Sequence, residues 1–205
     1  MTVATLRVRP LGSRTVWMTA VLTLGGLSFN LLRMRLRLDA GPLWLSMVAF
    51  GILGVAALAC AAALGRSRDD LGLKLPVSAP FWLGSALGAA VMVTMAAATA
   101  PVTRVPGAQQ LLGGIALFAL CTGPAEELLF RGLLYGIIAD EHGPVTATAV
   151  TAVAFALIHV PAYGFASLPV ATCAGLLFGW LRWWCRSLAG PWLVHSIADL
   201  SLLWL

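Results

Sequence analysis

Charge is what this chain has least of. Of its 205 residues, 10% are Asp, Glu, Lys or Arg, against 60% that are apolar. Soluble domains carry about 25% charged residues, so there is too little charge here to cover a water-facing surface, and an ordinary cytosolic globule is excluded. Intrinsic disorder is excluded too, because it needs low hydrophobicity and high net charge. Cysteines are few and scattered: Cys60, Cys121, Cys173 and Cys185, with no Cys-x-x-Cys pair. Neither a disulfide framework nor a zinc ribbon fits that spacing; small, buried, inert thiols are expected. The apolar stretches lack period-2 alternation, which excludes strands of a membrane barrel. The net charge of +5 does not point to nucleic acid. The arginines sit at the ends of apolar stretches, where orientation in a membrane is decided.

What the chain does have is long apolar runs. Crossing a bilayer as a helix takes about 20 apolar residues, and seven stretches come close: 15–32, 42–64, 80–100, 110–138, 145–163, 165–184 and 191–205. Pro42, Pro80, Pro144 and Pro191 sit at helix starts, where a missing N–H costs nothing. The last stretch is short, so a count of six plus a partly inserted segment is the alternative. The expected fold is all-α, a polytopic transmembrane helical bundle of about seven spans. The connections are short, so residues 1–205 form one membrane-embedded domain. It is expected to be multi-pass in a cell membrane. Arg7, Arg9 and Arg14 precede the first run, which lacks a small-x-small cleavage site and so reads as an uncleaved membrane helix. Lysines and arginines number eight on the N-terminal tail and alternate connections, against four on the opposite set, which favours an inside N-terminus. Gly84/Gly88, Gly132/Gly136 and Gly175/Gly179 have the spacing that lets membrane helices approach closely. Trp180, Trp183, Trp184 and Trp192 flank Arg182 and Arg186, the pattern of an interfacial belt with snorkelling arginines.

Four charges stand inside apolar runs: Glu126, Glu127, Arg131 and Asp199; His159 and His195 join them. An ionised residue at mid-helix costs roughly 2.5–3.5 kcal/mol on the insertion scale, so three in the fourth stretch cancel most of its apolar gain. Intramembrane ionisable groups usually face the bundle interior and mark function. Residues i and i+4 share a helix face, so Glu127 is expected to pair with Arg131, Phe155 to lie beside His159, and His195 beside Asp199. Glu126 is about 100° around the helix from Glu127 and is left to face a cavity. At about 1.5 Å per residue, Glu126 lies about 20 Å and His159 about 22 Å from the 139–144 connection, at one level. His195 lies only about 6 Å past Pro191, too shallow to join them unless the 185–191 connection dips into the membrane or the helix tilts.

Glu126-Glu127-Leu128-Leu129-Phe130-Arg131-Gly132 resembles the Glu-Glu-x-x-x-Arg signature of the CAAX-protease and bacteriocin-processing (CPBP) family of intramembrane endopeptidases. Phe155-Ala156-Leu157-Ile158-His159 resembles its Phe-x-x-x-His motif, and His195-Ser196-Ile197-Ala198-Asp199 its final His-x-x-x-Asn/Asp motif. The three occur in family order and cover about residues 110–205, the motif-bearing core. The Asp70-Leu71-Gly72-Leu73 stretch is also similar to family members. The resemblance implies a glutamate-dependent membrane peptidase. Glu126 and His159 would activate a water, His195 and residue 199 would hold the oxyanion, and Arg131 would anchor Glu127. In general terms, a carboxylate in an apolar cavity titrates nearer neutrality, where a base works best. A donor aimed at a developing oxyanion is worth several kcal/mol. One position departs from the prenyl-protein endopeptidases: residue 199 is Asp, not Asn. An ionised Asp199 would repel an oxyanion, so it is either protonated or orients His195.

The implied partners are a membrane-associated peptide or protein substrate and the lipid bilayer, without nucleic acid; the oligomeric state is open. No cofactor is expected. The alternative is a catalytic zinc, since Glu126, His159, His195 and Asp199 are ligand types zinc uses, although no His-Glu-x-x-His helix is present. A transporter or proton relay is the next alternative, opposed by the crowding of polar residues into the C-terminal half. A non-catalytic scaffold or immunity protein of the same fold is the last. His142, in the 140–143 connection, reads as a solvated loop residue. The substrate itself stays open among prenylated tails, leader peptides and sorting-signal tails.

Overall fold

In a computed structural model, the described residues are 12–38, 43–74, 78–103 and 121–201. All regular structure among them is helical. Helices α1 (Ser13–Arg35), α2 (Leu43–Ala63) and α3 (Ala79–Thr103) fall on the first three apolar runs. The next helical run, Cys121–Tyr163, has 43 residues, too long for one crossing. It breaks at Gly143, where φ is 80° and ψ 169°. That conformation suits glycine, and Pro144 restarts the helix where no N–H is needed. The run is therefore two arms, α4 (121–142) and α5 (144–163). They fold back on each other, since the rings of Phe130 and Phe155 meet edge-on at 5.6 Å. After a 3-10 turn at Phe165–Ser167 come α6 (Leu168–Cys185) and α7 (Ala189–Ser201). Five helices are long and apolar enough to span a membrane, the broken one counted once, which accords with a multi-pass bundle of about seven spans. Residues 110–120 of the fourth stretch, 202–205 of the seventh, and Pro42 lie outside the described residues.

The bundle closes around α4, whose residues 128–138 are buried throughout. Gly175 and Gly179 bring α6 against α5: a Cβ at Gly175 would lie 2.7 Å from the Ala152 Cα, and one at Gly179 would lie 2.8 Å from the Thr148 side chain. Gly84 and Gly88 bring α3 against Leu181, Trp184 and Val194. The third glycine pair works differently. Gly132 faces Leu188 and the Leu71 carbonyl, and Gly136 faces the Asp70 carbonyl, so this pair admits connections rather than another helix.

That difference removes the depth mismatch of His195. The loop after α2 and the connection before α7 both dip into the bundle, where the Leu188 N–H donates to the Gly72 carbonyl at 2.8 Å and Ser187 donates to the Lys74 carbonyl. Leu188 rests on Gly132, about 16 Å along α4 from the Gly143 break. Seven further residues of α7 carry His195 about 10 Å deeper, to the level of Glu127.

Three surface expectations need correction. His142 is not solvated: its side chain is 6% exposed, its Nε2 accepts from the Gly12 N–H at 3.4 Å, and it lies 3.5 Å from Glu141. That contact, with Thr15 to Glu141 and Arg66 to Asp140, ties the start of α1 and the loop after α2 to the α4–α5 turn. Arg182 does not snorkel; it is 9% exposed and points inward. Of the cysteines only Cys185 is buried, while Cys60 and Cys173 lie on the outer face.

Candidate active site

The middle of α4 is not α-helical. Residues Leu128–Leu134 form a π-helical segment, in which one extra residue per turn rotates everything beyond it relative to a regular helix. Glu127 immediately precedes this segment and Arg131 lies within it. Both are 0% exposed. Arg131 Nη1 donates to Glu127 Oε1 at 3.0 Å, as the i,i+4 spacing predicts. Its Nη2 donates to the Gly175 carbonyl at 3.2 Å. The guanidinium carbon lies 4.4 Å from the ring centre of Phe155 and 5.1 Å from that of Phe178. Burying this cation is offset by one carboxylate, one carbonyl and aromatic faces.

Glu127 also binds α7. His195 Nδ1 donates to the same Glu127 Oε1 at 2.8 Å, and the imidazole stacks on Phe178 at 4.8 Å. A carboxylate oxygen can only accept, so Nδ1 carries a proton. His195 Nε2 then faces the remaining two acids: Glu126 Oε2 at 3.9 Å and Asp199 Oδ1 at 3.7 Å. Thr122 Oγ1 donates to Asp199 Oδ2 at 3.3 Å. Asp199 is therefore held from α4 with its other oxygen turned to the imidazole. Glu126 and His195 are both buried.

His159 is placed by its own helix. Its Nδ1 lies 2.7 Å from the Phe155 carbonyl. A carbonyl accepts, so Nδ1 again carries a proton, and in the neutral imidazole Nε2 keeps its lone pair. Both imidazoles lean on the Phe155 ring, His159 at 4.4 Å and His195 at 5.8 Å. The structure thus joins Glu126, Glu127, Arg131, His195 and Asp199 by direct side-chain approaches. It attaches His159 through Phe155 and within electrostatic reach of Asp199. Chemically the group offers a buried carboxylate, an imidazole nitrogen free to accept, and a second imidazole nitrogen flanked by acids.

Several contributors escaped sequence reasoning. Thr122 is a lone hydroxyl residue at the start of α4. Arg182 donates from Nε to the Arg131 carbonyl at 3.0 Å, and no sequence feature separates it from a snorkelling arginine at the same distance from a helix end. Asn30 qualifies the crowding of polar residues into the C-terminal half. It is 4% exposed in α1 and donates from Nδ2 to the Ile158 carbonyl at 3.1 Å. The nearby Pro161 is no signal for it: the carbonyl four residues back that Pro161 leaves without an N–H is that of Leu157, not Ile158.

Among the described residues no group of three or more His, Cys, Asp or Glu is arranged to hold a metal ion. Compared with known proteins, residues 108–201 match the family model Rce1-like, described as type II CAAX prenyl endopeptidase Rce1-like. That match contains all seven specified residues of the three motifs, Glu126, Glu127, Arg131, Phe155, His159, His195 and Asp199. No curated protein and no solved structure matches the chain.

Proposed function

We propose that this chain, whose residues 108–201 match the family model of Rce1-like type II CAAX prenyl endopeptidases, hydrolyses a peptide bond of a membrane-associated protein or peptide with a glutamate-activated water. The observation that carries this reading is the meeting of Glu126, Glu127 and Asp199 around His195, with His159 on the adjoining helix.

In this mechanism Glu126 takes a proton from the water as its oxygen attacks the scissile carbonyl carbon. It returns that proton to the departing amine nitrogen. His159 Nε2, free because Nδ1 is engaged by Phe155, accepts the water's other hydrogen bond and fixes its direction. His195 serves the oxyanion. Its Nδ1–H is held by Glu127, and its Nε2–H, when present, points into the site. Arg131 holds Glu127 in place. Asp199, accepting from Thr122 on one oxygen and facing His195 with the other, acts on the imidazole rather than on the oxyanion. No step in this scheme requires a metal; whether one is bound is a separate measurement with a strong chelator.

The test is cleavage in reconstituted vesicles. Wild type is expected to cleave a lipid-anchored peptide, and Glu126→Gln to lose about 10²–10⁴-fold in kcat with its melting temperature kept. Wild-type turnover by that variant would remove Glu126 from the reaction.

A further inference from the structure

Arg182 stands outside the three motifs, yet its side chain touches both supports of the Glu127–His195 pair. Its Nε donates to the Arg131 carbonyl at 3.0 Å, and its Nη2 donates to the Asp70 carbonyl at 3.0 Å. Its guanidinium carbon lies 5.6 Å from the ring centre of Tyr135. The site is shaped to receive it. A Cβ at Gly72 would come within 2.6 Å of the guanidinium carbon, and Gly72 has φ of +74°, a conformation side chains resist. The Arg131 carbonyl lies in the π-helical segment, where the regular hydrogen-bond ladder is interrupted and an outside donor is useful.

Two routes run from this guanidinium to the same imidazole. The first passes through the Arg131 backbone, the Arg131 side chain and Glu127 to His195 Nδ1. The second passes through the 70–72 backbone, the Gly72 carbonyl and the Leu188 N–H into α7, which carries His195. One route sets where the carboxylate stands. The other sets how deep α7 starts. A fault in either shifts Glu127 against His195.

We infer that Arg182 is a positioning residue for the hydrolytic site: it brackets the inserted 65–74 loop to the π-helical segment of α4 and so fixes the register of His195 on Glu127. The catalytic part of this inference rests on the peptidase reading above; the mechanical part does not. Displacing a group by about 1 Å can cost 10²-fold in rate without loss of substrate binding, so the signature is a fall in kcat at constant KM.

The experiment compares Arg182→Gln, Arg182→Lys and Gly72→Ala with wild type in the same detergent. Backbone hydrogen exchange is read first, because it needs no substrate. In Arg182→Gln, exchange is expected to quicken about tenfold both in the 68–73 loop and at Leu188, with α2 unchanged. Arg182→Lys reaches one carbonyl at most and falls between. Gly72→Ala touches no side chain of the hydrolytic site and is expected to quicken exchange at Leu188 as well; it decides the matter if Arg182→Gln does not fold. On a lipid-anchored peptide, kcat is expected to fall about tenfold or more with KM held. Unchanged exchange at Leu188 in folded variants overturns the bracket. Quickened exchange with wild-type kcat overturns its role in positioning. An inactive wild type overturns the peptidase reading and leaves the exchange result to judge the bracket alone.

Discussion

Helices α1–α3 and helices α4–α7 are built from the same apolar alphabet, yet their interiors differ. In the first set the buried polar side chains include hydroxyls such as Thr15, Ser46 and Ser85, with Asn30 and Arg33 on α1. In the second they include Glu126, Glu127, Arg131, Arg182 and His195. The outer faces of α1–α3 carry exposed Trp17, Trp44, Ile52, Val55 and Trp82, as a lipid-facing wall should. Helix α4 has no such face between residues 128 and 138. The first set encloses, and the second holds ions out of water. Hydrophobicity alone does not tell the two apart; the depth and partnering of the charges does.

Substitutions can sharpen or break that contrast. The largest effect is expected at Arg131. Arg131→Ala leaves the buried Glu127 carboxylate without its cation and should cost about 3–5 kcal/mol, read as a fall in melting temperature together with loss of activity. An unchanged melting temperature would mean the pair does not hold the bundle together. Next comes one change made in two regions. Gly175→Ala puts a methyl 2.7 Å from the Ala152 Cα and should destabilise by about 1–3 kcal/mol. Gly51→Ala in α2 meets nothing within 4 Å and should be neutral or stabilising by about 0.5 kcal/mol, as for any glycine in an open helix face. Equal effects at the two sites would erase the distinction between wall and core.

A smaller effect is expected at the one place where the wall serves the site. Asn30→Ala removes the donor to the Ile158 carbonyl and should cost about 1 kcal/mol, with a modest rise in backbone exchange around His159. The smallest concerns pH at the loop surface. Hydrogen bonds from the Ser67 backbone and hydroxyl hold the Asp70 carboxyl below its ordinary value of 3.8. A carboxyl with a lowered folded value stabilises above its unfolded value and loses that contribution as pH falls through the lowered one. Proteolytic nicking of the 65–74 loop should therefore be flat from pH 8 to 5 and rise only below 3.8. A rise near neutrality would assign the loop's order to another group.

Much of the site was legible because helical spacing is arithmetic. The i,i+4 rule placed Arg131 on Glu127, Phe155 beside His159, and His195 beside Asp199, and all three pairs meet. Hydropathy found the spans, and Pro144 marked the start of α5. What stayed hidden depends on things periodicity does not encode. A pattern of faces says nothing about depth, so the inserted connection before α7 was invisible and His195 looked too shallow. A π-helical segment leaves no reliable mark in a run such as Leu128–Leu134, so the rotation of Glu126 and Glu127 against Gly132 and Gly136 was not foreseen. Arg182 and His142 were misplaced for a common reason. At a helix end, the same residue can turn to water or to the interior, and tertiary packing decides.

The convergence of Glu126 and His159 on one water is tested most directly by a double-mutant cycle in kcat, with folding verified by melting temperature. Groups that act on a single reacting molecule lose their effect together, so removing the second costs little once the first is gone. The expected result is that Glu126→Gln with His159→Ala is about as slow as the slower single variant. Losses that multiply across the two substitutions would show that the carboxylate and the imidazole act independently, and would contradict a shared water.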